Sequence, residues 1–253
     1  MKITKILLAS IAAAISFPAI TAAGDVVDPF YGPEPGHILT KTFYEQANKK
    51  FNDGNKVKSK TLQETIYYGL TDSWSLYFDG YNSWINNNAL PKEYEMRYWD
   101  AGIGYFFEPT ANTSVDAELY YTEKKPEDYD AYKTLYFYGR FDFMKDKDVK
   151  PFIGTEYSRG LHQITKSDDY FDFFAGVWKR FGNAMIKVSA DVEYLPDYPE
   201  STNASATLEA GYQFTDNFAL TVSGDYYFYD HYVNKPFGLD TGLSGRILVK
   251  YLF

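Results

Sequence analysis

The 253 residues contain no cysteine, so a disulfide framework, thiol catalysis and thiolate metal sites are all excluded. Histidine is almost as scarce, with three in the chain at His37, His162 and His231. None stands two residues from a serine on one strand face, so the base-oriented serine that hydrolysis requires is missing. Three scattered imidazoles without cysteine also make no transition-metal site. Asp128 and Asp130 beside Glu127 lack the calcium-loop spacing and read as a solvated acidic loop. Glycine-rich phosphate loops are absent as well. Neither a cofactor nor a catalytic residue is expected. Basic charge is in deficit: 25 Lys and Arg against 34 Asp and Glu give a net charge of -9. Nucleic acid is thereby excluded as a partner, since phosphate binding demands clustered Lys and Arg. Beyond the N-terminus no run approaches the roughly 20 apolar residues of a spanning helix.

What the chain does contain is aromatic side chains, 25 Tyr, 20 Phe and 4 Trp, together with a mean hydropathy of -0.40. So many rings argue against disorder, and the hydrophilic average calls for an explanation. The N-terminus has Lys2 and Lys5, then an apolar run from Ile6 to Ala14, then Thr21-Ala22-Ala23. A basic region, an apolar region and a small-residue cleavage site predict a secretory signal peptide over 1–23. Residues 24–36 hold Pro29, Pro33 and Pro35 and read as a poorly ordered periplasmic lead-in.

From about residue 37 the pattern alternates with period 2, which sends successive side chains to opposite faces of a strand. Between Ala184 and Tyr194, Ala, Ile, Val, Ala, Val and Tyr share one face, and Met, Lys, Ser, Asp and Glu the other. Twelve such segments are predicted, at 37–47, 58–70, 73–84, 94–107, 113–123, 132–143, 150–161, 170–181, 184–195, 203–214, 218–229 and 241–253. The first sorts poorly into two faces. Short connections alternate with longer polar ones, including an expected long loop at 48–57. One face carries ionised groups and the other aliphatics tipped with aromatics, the reverse of a small water-soluble barrel. Candidate girdle aromatics are Trp74, Phe107, Phe181, Phe214 and Phe218 near short turns, and Trp84, Tyr94, Tyr121, Tyr170, Tyr194 and Phe228 near long loops.

In the last segment Leu243, Ile247, Val249, Tyr251 and the terminal Phe253 fall on one face. A chain ending in Phe behind alternating apolar residues resembles the C-terminal assembly signal of bacterial outer-membrane barrels. The elements Tyr68-Gly69-Leu70-Thr71-Asp72-Ser73-Trp74-Ser75-Leu76 and Tyr212-Gln213-Phe214-Thr215-Asp216-Asn217-Phe218-Ala219-Leu220 are similar to hairpins of outer-membrane channels. The resemblance is to the porin-like superclass of Gram-negative outer-membrane β-barrels and names no single family. It implies an all-β fold: a closed antiparallel transmembrane barrel over 37–253 with short periplasmic turns and longer extracellular loops. It also implies location in the outer membrane, contact with outer-membrane lipid, and engagement of the barrel-assembly machinery through Ile247, Val249, Tyr251 and Phe253.

With the apolar face toward lipid, the expected lining follows. Its acids are Asp79, Asp100, Asp116, Glu118, Asp142, Glu156, Asp172, Asp191, Glu193, Glu209 and Asp225, and its bases are Arg140, Arg180, Lys187, Arg246 and Lys250. Eleven acids against five bases leave an inner excess of six negative charges. Glu64, Arg97 and Lys179 fall on the outer face and are expected near strand ends, where a charge costs little. Twelve strands lie between the filled interior of eight-stranded barrels and the water channel of large porins. The expected function is a narrow, weakly cation-preferring diffusion channel for small solutes. The alternative is a closed barrel acting through its loops as a scaffold or adhesin.

Overall fold

The computed structural model describes residues 25–51, 53–88, 93–127, 130–144, 147–162, 169–196, 202–230 and 239–253. The expected leader at 1–23, Asp128, His231 and the side chains of His162 and Phe228 lie outside the described residues.

Twelve strands follow one another: β1 (Ile38–Phe51), β2 (Lys56–Gly69), β3 (Trp74–Asn87), β4 (Tyr94–Thr110), β5 (Thr113–Pro126), β6 (Tyr132–Phe143), β7 (Val149–His162), β8 (Tyr170–Phe181), β9 (Ala184–Tyr194), β10 (Asn203–Thr215), β11 (Phe218–Asp230) and β12 (Leu239–Leu252). Each pairs antiparallel with its neighbours in sequence, and β12 pairs with β1 to close the barrel. The closing seam is held by reciprocal bonds, Ile38 N to the Phe253 carbonyl at 3.2 Å and Phe253 N to the Ile38 carbonyl at 2.8 Å. A closed ladder leaves no unpaired edge, which is what a chain surrounded by hydrocarbon requires.

The period-2 pattern is realised with the apolar side outward. Phe78, Ile153, Phe173, Leu208, Val222 and Leu243 are all exposed, Leu243 by 61%. Buried positions are dominated by polar residues, among them Thr65, Asp79, Asp100, Thr122, Arg140, Asp142, Asp225 and Lys250. This inversion of inside and outside is stable only when the exterior meets lipid, because each exposed apolar side chain would otherwise forgo about 1.5–3 kcal/mol of burial.

Two departures from the sequence reading concern the first hairpin. Strands β1 and β2 run further than expected, and the connection at 48–57 shrinks to a tight turn in which Phe51 N bonds the Asn55 carbonyl at 2.9 Å. Gly54 makes this possible with a φ of 85°, a left-handed conformation open to glycine. Residues 25–36 also depart from the expected loose lead-in, because they turn into the barrel and pack against its inner wall. Pro35 forms an isolated parallel bridge with Gly69, where the backbone of Glu34 comes so close that a Cβ would overlap its carbonyl.

Candidate functional site

Cross-strand partners share a face, so the register fixes which side chains meet inside the barrel. All eleven expected acids and all five expected bases lie on the inner face, in pairs such as Asp79 opposite Asp100, Asp116 opposite Arg140, Asp172 opposite Glu193 and Lys187 opposite Glu209. The structure adds side chains that the sequence reading missed. Lys41 sits opposite Lys250, Glu45 opposite Arg246, and Lys49 opposite Val57. Lys124 donates to the Tyr136 hydroxyl at 2.8 Å, and Lys150 stands over the Trp178 ring at 4.4 Å. Glu45 brings the acids to twelve, and Lys41, Lys49, Lys124 and Lys150 bring the bases to nine. Among the described side chains the inner excess contributed by the strands is therefore three negative charges rather than six.

These charges are unevenly compensated. Toward the short-turn end, Arg140 is clamped between Asp116 at 3.4 Å and Asp142 at 3.1 Å, and Lys187 pairs with Glu209 at 2.8 Å. Toward the long-loop end, carboxylates are met by neutral donors. Glu156 accepts the hydroxyls of Tyr120 and Tyr170, Asp191 accepts Ser205 at 2.5 Å, and Glu193 accepts Asn203 at 3.5 Å. Asp79 takes Gln63 and Thr65, both at 2.7 Å. Asp100 and Asp172 each bury one carboxylate oxygen that has no hydrogen-bond partner. Arg246 meets Glu45 at 2.9 Å and Asp225 at 3.9 Å. The interior thus carries ion pairs at one end and a surplus of acceptors at the other.

Aromatic rings line the same space. Tyr120 stacks on Tyr136 with centroids 4.6 Å apart, and Tyr77 and Tyr170 meet this pair edge-on. Tyr170 is therefore an interior residue, a correction to its expected place in the outer girdle; its hydroxyl turns toward Glu156 and away from lipid. Tyr94 likewise falls on the inner face, opposite Ile85. Gly102 and Gly176 face inward where the rings of Tyr77 and Phe152 lie within 2.7 Å of a would-be Cβ, so a side chain there would displace the aromatic lining.

Residues 25–36 complete the site from the short-turn end. Val26 and Val27 are wholly buried in a cluster with Leu39, Met185, Ala219 and Leu252, drawn from β1, β9, β11 and β12. This is a small apolar seal inside a polar barrel. Val27 N donates to Gln213 Oε1 at 3.2 Å, Lys250 Nζ donates to the Asp28 carbonyl at 2.8 Å, and Arg180 pairs with Asp25. Phe30 reaches the middle of the lumen, edge-on to Phe152 at 4.8 Å with the Arg140 guanidinium 3.7 Å from its ring centre. Burial pushes the Asp28 carboxyl above the usual carboxylate range, against the opposing pull of the Phe30 N–H and of Lys250. Burial also pushes the Tyr31 phenol up to about 12, helped by Glu34 and Asp25. Periodicity could not reveal this segment, since two adjacent valines in a proline-rich stretch carry no repeat.

Between the segment and the inner wall of β1 to β8 lies a cavity of about 740 Å³, lined among others by Phe30, Tyr67, Tyr77, Asp100, Arg140 and Glu156. Among the described residues no cluster of metal-ligating side chains occurs. The Nδ1 of His37 is buried without a hydrogen-bond partner.

No protein-family model matches the sequence, and no curated protein matches it. Solved structures do match the fold. An outer-membrane channel from Pseudomonas putida F1 superposes with a TM-score of 0.68 at 11% identity, covering 89% of this chain and 98% of that one. The NanC porin gives 0.58 at 12% identity, over 83% of this chain and 98% of that one. The translocator domain of the autotransporter NalP from Neisseria meningitidis gives 0.55 at 13%, over 98% and 97%. The closed twelve-strand barrel superposes on these structures along most of its length: the chain has the fold of an outer-membrane β-barrel.

Proposed function

We propose that this barrel is a narrow, non-enzymatic diffusion channel of the outer membrane, passing small polar solutes with a weak preference for cations. The observation that carries the proposal is the cavity inside the barrel, walled by tyrosines, carboxylates and bases rather than by a packed apolar core. Two of the structures it resembles are described as an outer-membrane channel and a porin, which supports the same reading. Tyrosine faces with hydroxyl tips suit small polar solutes that present both apolar and hydroxylated surfaces.

The cation preference rests on position more than on total charge. With Arg140 and Lys187 neutralised by their partners, Glu156, Asp172, Asp191 and Glu193 on β7 to β9 form an acidic wall that Lys49, beside Glu193, offsets only in part. A ring or wall of carboxylates raises the local concentration of cations and repels anions. A closed scaffold acting through its loops fits less well, because the interior keeps a cavity and its carboxylates retain unfilled acceptor positions. Swelling of proteoliposomes tests the proposal. Vesicles holding the purified barrel should swell faster than empty ones in small sugars or cationic amino acids, and less in anionic solutes of equal size. Swelling no faster than that of empty vesicles would refute it.

A further inference from the structure

The outer face of the first hairpin ends in lysine. Along β2 the residues that share a face with the exposed Ile66 and Tyr68 are Glu64, Leu62, Lys60, Lys58 and Lys56, and Lys50 on β1 stands directly opposite Lys56. All four lysines are exposed. Tyr68 lies near the short-turn end of β2, and a tilted strand climbs roughly 2.5 Å per residue. Lys60, Lys58 and Lys56 therefore stand about 20, 25 and 30 Å above Tyr68, at the upper edge of an apolar band about 25 Å tall and just beyond it. That is headgroup level on the long-loop side, where Trp84 lies beside Lys60 as its cross-strand partner. Glu64 sits lower, about 10 Å above Tyr68, and so not near a strand end as the sequence suggested; it accepts the Thr42 hydroxyl at 2.7 Å.

The barrel supplies this patch with no counter-charge. Elsewhere on the outer face Arg97 bonds Glu95 at 3.1 Å at the start of β4, Lys133 lies 3.9 Å from Glu123, and Lys179 lies 3.5 Å from Asp148 at the end of β8. Lys58 instead faces Asn48 and Asn86, and Lys60 faces Gln46 and Trp84. Among the described residues Lys56, Lys58 and Lys60 have no carboxylate within ion-pair distance. The carboxylate of the turn, Asp53, is taken up by Asn55, whose backbone N and Nδ2 donate to it at 2.8 and 2.6 Å. Like charges set directly opposite each other, as Lys50 and Lys56 are, lower stability, and an anion between them reverses that cost. Beside the lysines lies a groove of about 370 Å³, lined among others by Lys50, Lys56, Lys58, Tyr226 and Leu243. The outer face of β12 continues from the exposed Leu243 through Gly245 to the exposed Ile247, so a cationic rim adjoins apolar wall.

We propose that the outer face of the β1–β2 hairpin is a binding site for the phosphorylated headgroup of an outer-leaflet lipid. Ammonium groups clustered at headgroup level give phosphate oxygens charge-assisted hydrogen bonds and a local attraction for anionic lipid. The flexible stem of Lys60 lets its charge reach up from the edge of the band. The groove joins the lysines to Leu243 and Ile247, along which acyl chains lie, and this continuity selects a lipid over dissolved phosphate. In a chain of net charge -9, four lysines on one outward patch give the barrel a fixed point of attachment to anionic lipid.

Titration of the folded, detergent-solubilised barrel with diphosphorylated lipid A, followed by native mass spectrometry, tests the site. The native barrel should bind this lipid about ten-fold or more tightly than the same lipid with its phosphates removed. The triple variant Lys56→Gln, Lys58→Gln, Lys60→Gln should lose that margin, while Lys125→Gln with Lys133→Gln, on β5 and β6, should keep it. Heat-modifiable migration shows that each variant still folds. Inorganic phosphate in excess should leave the lipid bound. Equal binding of the dephosphorylated lipid, a triple variant that binds as the native barrel does, or an equal loss in the β5–β6 variant would each overturn the proposal. Displacement by inorganic phosphate would overturn the assignment of a lipid as occupant.

Discussion

Releasing the inserted segment is the perturbation that probes the lumen most sharply. Val27 is wholly buried against Leu39, Met185, Ala219 and Leu252, and such burial is worth about 1.5–3 kcal/mol. Val27→Asp removes that gain and sets a carboxylate in an apolar seal, at a cost of several kcal/mol. A combined loss of about 4 kcal/mol shifts the seated-to-released ratio by roughly a thousand-fold at 1.4 kcal/mol per factor of ten. Released residues 25–36 vacate the part of the lumen that they fill beside the cavity. Single-channel recording should then show a larger unitary conductance in Val27→Asp than in the native barrel, with fewer closures. A companion change comes from the wall side: at Gly211 a Cβ would lie 3.1 Å from Val27 Cγ2, so Gly211→Leu should displace the segment and raise conductance likewise. If both variants fold and both conduct as the native barrel does, the segment does not limit the path and the reasoning fails.

Three further outcomes are expected. Because burial raises the Asp28 carboxyl above the ordinary carboxylate range, protonation favours the seated segment. Its contribution is fully present below the unfolded carboxylate range and is lost as pH rises through the raised value. Conductance should therefore be lower at pH 4 than at pH 7, and Asp28→Asn should remove that difference. Neutralising the acidic wall with Asp172→Asn, Asp191→Asn and Glu193→Gln together should bring the potassium-to-chloride permeability ratio toward unity, read from the reversal potential in a salt gradient; an unchanged ratio would place selectivity elsewhere. Deleting Phe253, whose backbone closes the seam with Ile38, or introducing Tyr251→Asp, should block membrane insertion without blocking export, seen as loss of heat-modifiable, trypsin-resistant barrel.

Much of the architecture was legible in the sequence because period 2 is strict wherever one face meets lipid and the other water. β9 to β11 show this well: Val188, Leu208 and Val222 point out while Asp191, Glu209 and Asp225 point in. β1 was the exception for a physical reason. Its outer face carries Thr40, Thr42, Tyr44 and Gln46, and its inner face mixes Leu39 and Phe43 with Lys41 and Glu45, so neither face has a uniform character to detect. Lys41, Glu45 and Lys49 escape notice with it, and together with Lys124 on β5 and Lys150 on β7 they make the expected inner charge too negative. The insertion of Val26 and Val27 was illegible for another reason. Their partners lie more than 150 residues away at Met185, Ala219 and Leu252, and only closure of the barrel brings them together.

Conduction through planar bilayers is the most direct test of the channel itself. Purified, folded barrel should give discrete ion-conducting steps, with a reversal potential in a potassium chloride gradient showing potassium carried better than chloride. A correctly folded barrel that never conducts, in the native form and in Val27→Asp alike, would contradict the account.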